Sequence, residues 1–259
     1  MPAPKRVLLV ITGAFAFSGG IAASTRLAIH ALLDAGYMLD IFAFNETPDA
    51  AAKYRALPNV RYQAGNNNKR AFTLAVWHAV LTRRYAFAFS DHINVASILA
   101  PLALLRLIRY AVRVHLIEAV APNPDAQGRI GLRGAWRIQA SEFARGEVLK
   151  AFPRLTIDIV PLSLNPDTYF DLPASPAPSV MLPAVDGQTY RLGNSVILLV
   201  GRMAAAEQYK GQDVLIQSLS LILQRCPDAQ LVLAGQGDDF PRLRALAEAL
   251  PAAVQAHMF

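Results

Sequence analysis

The sequence predicts an α/β chain with two open, mostly parallel sheets joined by a proline-rich connection. Three observations carry that reading. Short apolar runs that end in glycine turns and lead into amphipathic stretches recur along the chain, at residues 7–11, 196–200 and 231–233. Strand, loop and helix in repetition is the pattern of a parallel sheet with crossover helices. Pro173, Pro176, Pro178 and Pro183 crowd into one stretch between two such blocks, as in a stiff linker. The length, 259 residues at 54% hydrophobic and 17% charged, suits one large or two moderate globular domains and excludes a disordered chain. The expected division is a first domain over 1–172, a linker over 173–193 and a second domain over 194–259.

The second block is the more informative. Its opening run VILLV, residues 196–200, reads as a strand buried on both faces. Gly201-Arg202 follows at once, then Lys210-Gly211. A helix comes next, with Val214, Leu215, Leu219, Ile222 and Leu223 at helical spacing. Pro227-Asp228 ends it. A second buried strand at 231–233 runs into Gly235-Gln236-Gly237-Asp238, and another helix begins near Phe240. Ligands of such sheets sit beyond the carboxyl ends of the strands. Arg202, Lys210 and the 235–238 turn all follow strand ends. Two cations and a glycine-rich turn suit a phosphate or diphosphate, because the cations neutralise charge and glycine lets backbone N–H groups come close. On spacing alone, ordinary surface charges are an equal alternative.

In the first block, a strand at 7–11 leads through Gly19-Gly20 into a helix over about 21–35, closed by Gly36, and a strand at 38–44. Residues 69–85 read as a helix with Phe72, Val76, Trp77 and Val80 on its apolar side and Lys69-Arg70 and Arg83-Arg84 as flanks. Such a basic amphipathic helix either packs into a core or lies on a membrane. Residues 86–89 form a short strand before Ser90-Asp91-His92, a helix spans about 95–109, and a strand over 111–116 ends in His115-Leu116-Ile117-Glu118. His92 and His115 thus fall at carboxyl ends of strands, where a histidine can bond a ligand hydroxyl or serve as a structural partner. Residues 128–134 read as a flexible basic loop. Ser141 is the expected N-cap of a following helix.

Charge is unevenly placed. Up to Phe170 there are 19 Lys and Arg against 11 Asp and Glu, a net +8; from Asp171 onward there are 6 against 8, a net −2. The basic first part suits an anionic membrane surface or anionic acceptor. No zinc-finger spacing or RNP-like motif supports nucleic acid. The single Cys226 excludes an internal disulfide and points to a reducing, cytoplasmic setting. Lys5-Arg6 before VLLVITGAFAF imitates a signal peptide, but the glycine turn and helix that follow favour a first strand. The longest uncharged apolar run, residues 93–105, is stopped by Arg106 short of membrane-spanning length.

GRMAAAEQYKGQDVLIQSL followed by PDAQLVLAGQGDD resembles the donor-binding domain of the family-four glycosyltransferases, retaining enzymes of GT-B architecture. The resemblance implies two Rossmann-like domains facing across a cleft, with the second incomplete. It implies that Arg202 and Lys210 hold a donor diphosphate and that Gly235, Gly237 and Asp238 form the adjoining turn. Gly20 stands where the family brings backbone to the donor from the other domain. The HLIE segment is similar to the family's His-Gly-Ile-Glu, with Leu116 in place of glycine, and implies that His115 contacts the donor sugar. Residues 137–143 and 165–167 are similar to its strand-then-Ser-x-Phe step and to its segment closing the first domain.

The implied activity is transfer of a sugar, with retention, from a nucleotide-diphosphate sugar to a glycan or lipid acceptor. No cofactor beyond the donor and no metal is implied, and a peripheral contact with the inner face of a membrane is expected from the basic first part. No Asp-x-Asp metal motif and no Walker loop is present, and Phe240 stands where a dinucleotide fingerprint wants a third glycine. The family's glutamate pair would lie beyond Phe259. The expectation is therefore either an enzyme inactive without those residues, or a non-catalytic remnant or nucleotide-binding module.

Overall fold

The computed structural model describes residues 5–16, 19–116, 119, 126–134, 136–162, 181–183 and 187–259. The chain divides into two compact units, Met1–Phe170 and Asp171–Phe259. Glu118, the 165–167 segment and three of the linker prolines, Pro173, Pro176 and Pro178, lie outside the described residues.

The first unit is a seven-stranded, all-parallel sheet in the order β3-β2-β1-β4-β5-β6-β7. Its strands are β1 (Arg6–Ile11), β2 (Met38–Ala43), β3 (Val60–Ala64), β4 (Phe87–Ser90), β5 (Tyr110–Arg113), β6 (Trp136–Gln139) and β7 (Asp158–Ile159). Register is fixed by the alternation of side chains. Leu8, Val10, Phe42, Ala88 and Val112 point into one buried cluster, and Val7, Leu9, Leu39, Ile41 and Phe89 into another on the opposite face. Helices α1 (Gly20–Asp34) and α2 (Ala51–Arg55) cover the second cluster through Ile29 and Tyr54. The first is covered by α3 (Lys69–Thr82), α4 (Ile93–Ala96), α5 (Ala100–Leu104) and α7 (Glu142–Ala151). Between these last two, α6 spans Ala126–Gly131.

Three expectations change here. Phe72, Val76 and Val80 of α3 are buried in the core, and Arg83 at its end is paired with the buried Asp40, so the apolar face of this helix is not a membrane face. The helix expected over 95–109 is two short helices. Pro101 opens the second, where its missing N–H is tolerated and the turn before it must break. The expected flexible loop at 128–134 contains the end of α6, which is packed so closely on α4 that a Cβ at Gly131 would collide with the Ile93 carbonyl. Ser141 does cap α7, accepting from the Ala144 N–H at 3.2 Å. Among the described residues no helix is long and apolar enough to cross a membrane.

In the second unit an antiparallel hairpin, β8 (Met181–Pro183) with β9 (Thr189–Arg191), occupies part of the stretch read as irregular linker. A parallel pair follows, β10 (Val196–Val200) with β11 (Gln230–Ala234). Residues 257–259 pair alongside β11 in the parallel sense. Helices α8 (Gln212–Arg225), α9 (Phe240–Glu248) and α10 (Ala252–Gln255) complete the unit, and Ile216, Leu243 and Met203 form its small core. The expected burial of VILLV on both faces fails. Leu198 is 60% exposed and Val200 72%, because the core forms on one face of the pair only.

Candidate active site

The two cations predicted to hold a diphosphate meet in the second unit. β10 delivers Arg202 just past its carboxyl end, and a 3-10 turn, Ala205–Lys210, brings Lys210 back toward it. The Lys210 side chain runs over Gly201, where a Cβ would stand 3.5 Å from its Cδ. Both cations converge on one carboxylate that the sequence reading did not single out. Glu207 takes Arg202 on Oε1 and Lys210 on Oε2, the latter at 2.5 Å. Lys210 and Arg202 hold the Glu207 carboxyl below its usual range. Two cations bridged by a two-oxygen anion have the spacing and charge that a diphosphate would exploit.

The glycine turn lies against this loop. A Cβ at Gly235 would collide with the Gly201 carbonyl oxygen, and one at Gly237 with that of Met203. Both positions therefore need glycine for backbone packing within the protein. Hydrogen bonds lace the two loops. Met203 donates to Gln236 O at 2.9 Å, Asp239 donates to Met203 O at 2.8 Å, and Ala205 donates to Asp238 Oδ1 at 3.0 Å. Asp238 thus ties the cation loop to the glycine turn. Gln212, buried at the start of α8, adds a bond to the Arg202 carbonyl at 3.1 Å. A mainly apolar cavity of about 520 Å3 adjoins Gly235, walled by Met203, Leu233, Phe240 and Tyr190.

Gly20 and His115 belong to the first unit. The sheet order reverses between β1 and β4, and the carboxyl ends of these strands are where an open α/β sheet takes ligands. Asp91, fully buried, follows β4. It accepts from the Thr12 N–H at 2.8 Å, from the Thr12 hydroxyl at 2.7 Å and from the Thr25 hydroxyl at 3.1 Å. Burial pushes its carboxyl up to about 6 against the pull of these donors. His115 donates from Nε2 to the Asp91 carbonyl at 2.8 Å, since a carbonyl only accepts. Its ring lies 6.4 Å from that of His92. Gly20 is the first residue of α1, and a Cβ there would meet nothing within 4 Å. Among the described residues nothing demands glycine at 20, whereas Gly19 beside it has φ +146°.

One anion site in this unit is already filled. The backbone N–H groups of Ala14, Phe15 and Ala16, in the loop after β1, all donate to Glu46 Oε1 at 2.7 to 3.0 Å, and Tyr54 donates to the other oxygen at 2.6 Å. That loop is closed by the chain's own carboxylate. In the second unit the Glu207 carboxylate is held by Arg202 and Lys210 in a comparable way. Asp91, Glu46 and Glu207 all escape sequence reading, because each acquires its role from partners that no spacing rule connects to it.

Residues 194–258 match the family described as "Glycosyl transferases group 1". No curated protein sequence matches the chain. Among solved structures, Anabaena HepE in complex with UDP aligns with a TM-score of 0.68 at 13% identity, over 98% of this chain and 68% of that one. Sucrose-phosphate synthase from Thermosynechococcus elongatus aligns at 0.62 and 16%, over 99% and 69%. The lipopolysaccharide outer core galactosyltransferase WaaB in its apo form aligns at 0.60 and 13%, over 98% and 67%. The chain has the α/β fold of these GT-B glycosyltransferase structures, and its segment 194–258 matches the group 1 glycosyl transferase family.

Proposed function

We propose that the protein is a glycosyltransferase that uses a nucleotide-diphosphate sugar as donor, with Arg202 and Lys210 on the diphosphate. The observation that supports this most is the convergence of both side chains on the Glu207 carboxylate at the end of β10. When a glycosidic bond to a diphosphate breaks, negative charge grows on the leaving group. Two fixed cations at that point lower the barrier by electrostatic stabilisation. Gly235, Gly237 and Asp238 hold the cation loop in place and keep the adjoining turn close to it. Gly20, with open space around it, admits close approach of the donor to the first unit, and His115 bonds a donor-sugar hydroxyl. No cofactor beyond the donor is invoked. HepE, with UDP or UDP-glucose bound, and S. aureus TarM, with UDP and alpha-GlcNAc-glycerol, share the fold, and these names favour a uridine nucleotide and a hydroxyl-bearing glycan acceptor.

Retention follows in this reading from attack on the face that the leaving diphosphate vacates, and the anomeric configuration of the product decides it. In this reading the basic first part draws the enzyme to the inner face of an anionic membrane, through charge rather than through an apolar face of α3. Salt-sensitive binding to anionic vesicles is the expected result there. The test of the reading as a whole is calorimetric titration with UDP, GDP and ADP beside the corresponding nucleosides. A diphosphate should bind at least about tenfold tighter than its nucleoside, since charge-assisted hydrogen bonds carry the contact. Nucleosides that bind as well as their diphosphates would overturn it.

A further inference from the structure

Arg113, the last residue of β5, is a buried cation without a hydrogen-bonded partner among the described residues. Its side chain is 8% exposed, and no hydrogen bond or ion pair reaches the guanidinium among the described residues; Nη1 is fully shut off from solvent. Burial lowers its pKa from the usual value while the field of Asp91 raises it. A guanidinium stays protonated under that pull, so the charge remains. Asp91 makes no bond to it; the Asp91 oxygens accept from Thr12 and Thr25 instead. An uncompensated buried charge is strongly unfavourable, and a native fold that keeps one calls for a counter-ion.

Arg113 also lines a cavity of about 250 Å3 in the first unit. Leu27, Ala28 and Leu32 of α1, Phe89 of β4, Ile138 of β6 and Leu162 form apolar walls around it. The room is below the range usual for drug-sized ligands. The nearby Asp91 carboxylate opposes a second negative charge in the same place. We propose that this cavity binds a small amphiphile, a short apolar chain ending in a single carboxylate that pairs with Arg113. None of the residues that line it is among those proposed to touch the sugar-nucleotide donor.

Octanoate and octanol are the probes, titrated into the whole chain by calorimetry with thermal unfolding alongside. Octanoate should raise the melting temperature and bind about tenfold or more tightly than octanol, the effect of one charge-assisted contact. Arg113→Met keeps the shape and removes the charge. It should stay folded, because exchanging a buried charge for an apolar group of similar volume is often neutral or stabilising, and it should bind the two probes alike. Ala28→Leu fills the cavity with Arg113 in place and should weaken octanoate. If Arg113→Met does not fold, Arg113→Lys takes its place and should retain the preference for octanoate. Equal binding of octanol and octanoate to the parent, or undiminished octanoate binding by Arg113→Met or by Ala28→Leu, would overturn the proposal.

Discussion

Lys210 donates from Nζ to Oε2 of Glu207 at 2.5 Å, and Arg202 closes on the other oxygen of the same carboxylate. Glu207 therefore occupies the position that the proposed diphosphate needs. A ligand must replace it on both cations. Ion pairs at a protein surface contribute little, so the competition is modest. Glu207→Gln should tighten nucleotide-diphosphate binding by about two- to tenfold. Isothermal titration of parent and variant measures this. Weaker binding by the variant would mean that Glu207 orders the cations instead of competing for them.

The switch point of the first sheet should leave a signature in pH. Burial raises the Asp91 carboxyl from 3.8 to about 6. The folded chain then binds a proton that the unfolded chain has released between these values. Stability from this group is fully present below about pH 4 and is lost as pH rises to about 6, a change on the order of 3 kcal/mol. Asp91→Asn removes the titration. The difference in melting temperature between parent and variant should shift in favour of the variant from pH 4 to pH 6 and level off above. A difference independent of pH would place the Asp91 carboxyl at its ordinary value.

Glycines 20 and 235 should separate function from fold. At Gly235 a new Cβ meets the Gly201 carbonyl, a backbone atom that cannot step aside. Gly235→Ala should destabilise the second unit by about 2 kcal/mol or more, seen as faster amide exchange in β10 and β11. At Gly20 the space is open. Gly20→Ala should leave stability unchanged or slightly raised, because alanine restricts the unfolded chain. Under the proposed function it should weaken binding of the sugar nucleotide. A destabilised Gly20→Ala would show that the protein itself requires that glycine.

Much of this was legible in the sequence, and the misses share a cause. The strand–turn–helix run from 196 to 248 was readable because its signals are local: an apolar run, a glycine, then helical spacing. The same holds for β1, α1 and β2. What local pattern cannot give is which face of a strand finds a partner. Leu198 and Val200 look like core and are exposed. Nor does it give the pairing of distant charges. Glu46 reaches amides about thirty residues upstream, Asp91 reaches Thr12, and Arg83 turns inward to Asp40. The helix break at Pro101 and the packed Gly131 were visible as residues, but their consequences depended on where α4 and α6 meet.

In the proposed function Arg202 and Lys210 together hold a donor diphosphate. The most direct measurement is calorimetric titration of UDP into the parent chain and into Arg202→Ala/Lys210→Ala, with far-UV circular dichroism and thermal unfolding as controls on the fold. Among the described residues both side chains pair with Glu207 alone, near the surface, so their loss should leave the fold intact. Two charge-assisted contacts removed should weaken UDP by about 100-fold or more. A folded double variant that binds UDP within about twofold of the parent would contradict the account, because the diphosphate would then rest on other residues.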